Sequence, residues 1–276
     1  MGQIVGGFAT SHVLFPPTGV EAQAERVLAG MLEMRGRIRA LKPDLIVLAG
    51  ADHLNNFSLA MQVTLAVGVS DTFTTLGDSG APVVTFRGHR GFAEGFVRHA
   101  ARRDFELVQA EELKPDHGMA IPRLIVDPAG EVPVVPVYIN ANMPVPPSPA
   151  RCLRLGTVLK EYVEKLRPAG ERVVVVGTGG LSHWLCLPEQ GKVAAEFDQQ
   201  FIDQMIGGEA QALASLSADD ILEASGNGGL ELTAWLFMAG ALPGVRGEQL
   251  YYEPIPEWIS GMGGVSLIPE SAREPA

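Results

Sequence analysis

The sequence predicts an α/β fold: a mixed or largely parallel central sheet flanked by helices, in a single large domain over residues 1–269. Two observations predict it. Short β-branched runs alternate with longer amphipathic segments along the whole chain, which is the pattern of a layered α/β domain. The 276 residues are 46% hydrophobic, enough for a sizeable core.

Taken in order, strands are expected at 3–9, 44–50, 59–67, 132–139, 172–178 and 264–268. Helices are expected at 20–41, 91–102, 150–166, 192–206 and 229–241. The first helix carries Val27, Leu28, Met31, Leu32 and Met34 at the spacing of one buried face. The Pro-rich stretch "NMPVPPSPA" (142–150) reads as a rigid loop between a strand and a helix. The tail "ESAREPA" (270–276) is expected to be frayed or disordered.

Composition removes several function classes. Lys and Arg total 21 against 32 Asp and Glu, a formal charge of −11, so neither nucleic acid nor an anionic membrane surface is an expected partner. Cys152 and Cys186 form no CxxC pair, so a disulfide framework and a thiolate metal site are not indicated. With neither a basic n-region nor a long apolar run at its start, the chain is expected to be soluble and cytoplasmic.

The histidines carry the functional reading. A single His in an apolar neighbourhood is more often a hydrogen-bonded core or surface residue than a catalyst. Here His12, His53 and His183 each follow the C-terminal end of an expected strand, in "FATSH", "LAGADH" and "GTGGLSH". Ligands collect at the carboxyl ends of strands in open α/β sheets, so three imidazoles would face one rim. His117 lies in a turn-like "KPDHGMAIP" that suits a pocket mouth, whereas His89 and His99 fall in a polar loop and a helix. The "GTGGLSH" turn has neither GxGxxG nor a P-loop Lys; its glycines are expected to let the backbone pass close to a bound substrate.

Converging imidazoles in a Cys-poor chain point to Fe(II), Zn or Mn, and such a site calls for a carboxylate. Glu231 opens the apolar helix of "SGNGGLELTAWLFMAGAL", where a carboxylate is costly unless a cation or hydrogen bonds compensate. The competing reading is a solvated first-turn acid favoured by the helix dipole.

The blocks "FATSHVLFPP", "LAGADHLNNF", "PDHGMAIP", "VPVVPVYIN", "GTGGLSHWL" and "YYEPIPEWISGMGGVS" together resemble the class III extradiol ring-cleavage dioxygenases over most of the chain. The resemblance implies that His12, His53 and Glu231 bind Fe(II) as a 2-His-1-carboxylate triad and that His183 is the pocket acid/base. It implies that His117 donates a proton or positions substrate. It also implies a small catecholic or 2-aminophenol-like substrate, O2 as co-substrate, a ring-opened semialdehyde or keto-acid as product, and a homo-oligomer. The "DHG", "GGLSH" and C-terminal blocks resemble the 2,3-dihydroxyphenylpropionate branch, and "GGLELTAWLFMAGAL" resembles the protocatechuate branch. Two other readings of the residues stay open: a zinc-dependent hydrolase using the same ligands, and a non-catalytic binding protein on the same fold. Arg87, Arg90 and Arg123 are candidates to meet a substrate carboxylate, each weighed against a solvated surface position.

Overall fold

The protein is described from a computed structural model that covers residues 1–272. In chain order the described elements begin with β1 (Gln3–Thr10), α1 (Glu21–Ala40), β2 (Leu45–Gly50), β3 (Leu65–Gly68), β4 (Thr72–Thr74) and β5 (Thr85–Arg87). They continue with α2 (Arg90–Ala101), β6 (Val108–Ala110), α3 (His117–Val126), β7 (Val134–Ile139), α4 (Pro149–Leu166) and β8 (Arg172–Thr178). Last come α5 (Ala195–Gly207), α6 (Ala210–Leu213), α7 (Ala218–Gly229), α8 (Leu232–Gly240), β9 (Gly247–Ile255) and β10 (Ser260–Leu267).

Eight strands form one mixed sheet in the order β6-β3-β7-β2-β8-β1-β10-β9, while β4 and β5 make a separate hairpin. Its centre, β7-β2-β8-β1, is parallel, and β10 and β9 extend it antiparallel beyond β1. The valine run of β8 explains why it is central. Val173 and Val175 face one core with Phe96 of α2, Leu159 of α4 and Trp235 of α8. Val174 and Val176 face the other, with Met34 and Ile38 of α1 and Met119 of α3. Successive side chains point to opposite faces, so a strand covered on both must be apolar throughout.

The helices fit their faces. Helix α1 buries Val27, Met31, Met34 and Ile38, whereas Leu28 and Leu32, expected on the same face, are 49% and 44% exposed. The stripe is narrower than the sequence suggests. Ser148 caps α4 by accepting a hydrogen bond from the Arg151 backbone N–H, with Pro149 in the first turn, so the Pro-rich stretch is an ordered loop within the fold. Helix α8 is buried along its whole length. It crosses α4 at a glycine on each helix: a Cβ on Gly240 would stand 1.9 Å from the Leu153 carbonyl oxygen, and one on Gly156 2.0 Å from the Phe237 carbonyl oxygen.

Several expectations need correction. Of the strand expected at 59–67 only the end survives, as β3, because residues 59–64 form no ladder with a neighbour. Strands β4, β5, β6 and β9 and helices α3, α6 and α7 were not expected. The helix expected at 229–241 is α8, preceded by α7 and a kink at Gly226 with φ 82°. Of the tail expected to be frayed, Glu270–Ala272 form a 3-10 turn and residues 273–276 lie outside the described residues. No described helix is long and apolar enough to cross a membrane.

Candidate metal centre

Strands β2, β8 and β1 are neighbours and parallel, so the loops leaving their C-terminal ends share one rim. His12, His53 and His183 sit on those loops and do meet. The His12 and His53 rings are 5.2 Å apart by centroid, and His117 lies 5.4 Å from the former and 4.3 Å from the latter. Donor atoms of these three lie within 4.8 Å of one another. Glu231, the residue just before α8, reaches the same point. Its Oε1 is 3.1 Å from His53 Nε2 and 4.0 Å from His12 Nε2, and its Oε2 is 3.9 Å from His183 Nε2.

Each ring is aimed by a partner on its far nitrogen. Thr178 donates its hydroxyl proton to the Gly118 carbonyl, so it can only accept from His12 Nδ1 at 3.1 Å, which leaves Nε2 as the free electron pair. Asp116 accepts from both the backbone N–H (2.8 Å) and Nδ1 (3.1 Å) of His53, turning Nε2 toward Glu231. Such carboxylate–imidazole pairs orient metal ligands and raise their basicity. His183 Nδ1 donates to the Leu181 carbonyl at 2.8 Å, so its Nε2 is the basic nitrogen facing the site. His117 is held by Asp78, which accepts from its backbone N–H and pairs with its Nδ1.

The sequence reading put His117 in a turn; instead it is the first residue of α3. Asp116 caps that helix through the Gly118 N–H while also orienting His53. The glycines after β8 pass against Glu231. A Cβ on Gly179, which has φ 120°, would stand 2.6 Å from Glu231 Cβ, and the Gly180 N–H donates to Glu231 Oε2 at 2.8 Å.

Charge is distributed unevenly across this cluster. Burial pushes His12 down to about 4, with the His53 and His117 rings adding to the effect against the pull of Glu231. Burial also opposes charge on His53, but hydrogen bonds to Asp116 and Glu231 outweigh it and raise the ring to about 10. Glu231 is held well below the usual carboxylate range despite its burial, by His12 and His53. The residues therefore fit a divalent cation: one neutral imidazole, a second that sheds its proton as a metal binds, and an ionised carboxylate. Donors that share an ion at about 2.1 Å each lie about 3 to 4 Å apart, the spacing seen between Glu231 and the two rings.

A second buried acid holds the His183 loop. Asp198 on α5 accepts from the backbone N–H and hydroxyl of Ser182 (2.9 and 2.8 Å) and from the Tyr252 hydroxyl (2.9 Å). Burial nevertheless pushes its carboxyl up to about 6. A carboxyl raised in the folded state contributes stability that is fully present below its unfolded value near 4 and is lost as pH rises through 6. Between pH 4 and pH 7 the protein should therefore lose on the order of 2–3 kcal/mol relative to Asp198→Asn. Denaturation curves of both proteins across that range check this; a gap that does not change with pH would refute it.

The three arginines do not reach the site. Arg87 donates to the Glu131 carbonyl, and Arg90 pairs with Glu111 and Asp71. Arg123 is buried rather than solvated, bonded to the Asp127 carbonyl and lying over the Phe86 ring at 5.5 Å. Sequence reasoning missed Asp116, Asp78, Thr178 and Asp198. Of these only Asp116 left a local signal, as an Asp cap ahead of "HGMAIP".

Above the cluster lies a cavity of about 220 Å³, floored by His12, His53, His117 and His183 and walled by Phe15, Ile121, Leu185, Trp258 and Ile259.

This geometry agrees with the relationships of the chain. It is 25% identical to the 2,3-dihydroxyphenylpropionate/2,3-dihydroxicinnamic acid 1,2-dioxygenase of Klebsiella pneumoniae, over 91% of this chain and 93% of that one. It is 27% identical to the enzyme of the same name from Escherichia coli K12, over 86% and 89%. A crystal structure of an uncharacterized protein from Escherichia coli K12 shares the fold, with a TM-score of 0.63 at 14% identity over 95% of this chain and 99% of that one. Residues 6–263 match the family described as the catalytic LigB subunit of aromatic ring-opening dioxygenase. Spanning as it does both halves of the candidate centre, from His12 to Glu231, that match shows that the chain belongs to this family of ring-opening dioxygenases.

Proposed function

We propose that the protein is a non-haem Fe(II)-dependent extradiol dioxygenase that inserts both atoms of O2 into a catecholic or 2-aminophenol-like ring, giving a ring-opened semialdehyde or keto-acid. The observation that carries the proposal is the meeting of His12, His53 and Glu231 at the strand rim with a further imidazole, His183, 3.9 Å from the same carboxylate. His12, His53 and Glu231 hold the iron. Bound there, Fe(II) supplies the redox chemistry that lets triplet O2 react with a singlet ring.

The chain's own residues do the rest. His183 Nε2, left basic by the Nδ1 bond to Leu181, takes the phenolic proton as substrate binds and returns it as the ring opens. His117, fixed by Asp78, presents its Nε2 across the ring position and donates to the oxygen that becomes the product acid. The apolar walls exclude bulk water from these transfers. The named relatives support catechols substituted at position 3, opened beside the substituted carbon.

The test is anaerobic purification, loading with Fe(II), and O2 uptake with a panel of catechols, followed by the yellow ring-opened product. About one iron per chain and one O2 consumed per ring opened are expected. Hydrolysis by the zinc-loaded protein without O2 uptake by the iron-loaded one would overturn the proposal.

A further inference from the structure

We infer that the ring substituent of the substrate is uncharged and apolar, a conclusion that rests on the ring-opening reading of this site. Apart from the four histidines, the cavity is lined by aliphatic and aromatic side chains and by Ser79 and Ser260. Among the described residues no Lys or Arg lines it. Helix geometry places Ile121 one turn beyond His117 on the same face of α3, so an apolar side chain flanks the ring position directly. Trp258 spends its only polar atom on the Pro16 carbonyl (3.2 Å), so it offers the cavity an apolar surface. The Ser260 hydroxyl donates to the Gly261 carbonyl at 3.1 Å.

A carboxylate entering this space would lose its water without gaining a cation. Among the described residues, Arg87, Arg90 and Arg123 are bonded elsewhere, and Lys192 lies over the Trp184 ring at 4.5 Å. Local charge disfavours an anion as well. Glu231, Asp116 and Asp78 already surround the four rings, so even a divalent cation leaves these acids in excess. Size narrows the class further. At about 220 Å³ the cavity is smaller than the roughly 300 Å³ at which pockets for drug-sized ligands begin, which suits one ring with a short alkyl chain. The chain would then differ in substrate class from relatives whose names specify a phenylpropionate.

The experiment compares 3-propylcatechol with 2,3-dihydroxyphenylpropionate, which has a carboxylate where the former has a methyl group. Both are titrated into the Fe(II)-loaded protein without O2, with tryptophan fluorescence as the readout, and kcat/KM is then measured in air. The propyl compound should bind at least tenfold more tightly and lead in kcat/KM. Leu185→Arg, which leaves the histidines in place, should shift the preference at least tenfold toward the carboxylate. Equal or tighter binding of the carboxylate, or failure of both to bind, overturns the inference whether or not a ring is opened. A propyl preference in binding with no O2 uptake instead supports the ligand class and overturns the ring-opening reading.

Discussion

Glu231→Ala is expected to lose metal binding and ring opening together. The substitution leaves two imidazoles facing a site without the negative charge that lies 3.1 and 4.0 Å from them. Loss of an outer partner of a metal ligand typically costs 10- to 100-fold in affinity or activity, so loss of the ligand itself should exceed about 100-fold. The fold should survive. The Gly180 N–H loses its acceptor, at a cost of about 1–3 kcal/mol, while the burial of a carboxylate is relieved. Iron analysis after desalting, with O2 uptake on the same sample, checks the result. Full iron occupancy in Glu231→Ala would pass the third-ligand role to His117, whose donor atom lies in the same cluster.

His183→Gln should retain iron and lose about 10²- to 10⁴-fold in kcat, the range a positioned acid/base contributes. Glutamine has no basic nitrogen to take the phenolic proton. Gly228→Ala tests the same role without changing the histidine. A Cβ there would stand 1.9 Å from His183 Nε2, so the ring must leave its place although its Nδ1 bond and backbone anchors to Ser225 and Gly228 remain available. Both variants should bind iron and fail in turnover. Parental rates in His183→Gln would assign the proton transfer to His117.

The parts that were legible in the sequence are those where one physical rule dominates. β1, β2 and β8 were placed within a residue or so, because strands covered on both faces have no polar interruptions. Their carboxyl ends then marked His12, His53 and His183, and the cost of a carboxylate among apolar residues marked Glu231. β9 escaped because it is an edge strand with mixed burial and Pro254 within it, so neither alternation nor a continuous apolar run betrays it. Helix α3 escaped because Pro115 and Gly118 read as turn residues, whereas the Asp116 cap and the packing of Met119 on the sheet decide for helix. Asp78 and Asp116 act on histidines 39 and 63 residues away, through contacts that leave no period in the sequence. Arg123 misled for a related reason: its type suggested solvent or a substrate anion, whereas its partners are the carboxylate (3.5 Å) and carbonyl of Asp127, four residues on, and the Phe86 ring.

The burial of α8 along its whole length bears on how the centre comes apart. Amides in such a helix exchange with solvent mainly through global opening, so Glu231 is tied to the slowest-opening part of the molecule. His12 and His53 are carried by loops, whose local openings require far less free energy. A ligand held by all three would therefore be released from the loop side, with Glu231 the last contact kept. The rate of that release would follow loop opening and be largely independent of the global stability of the fold.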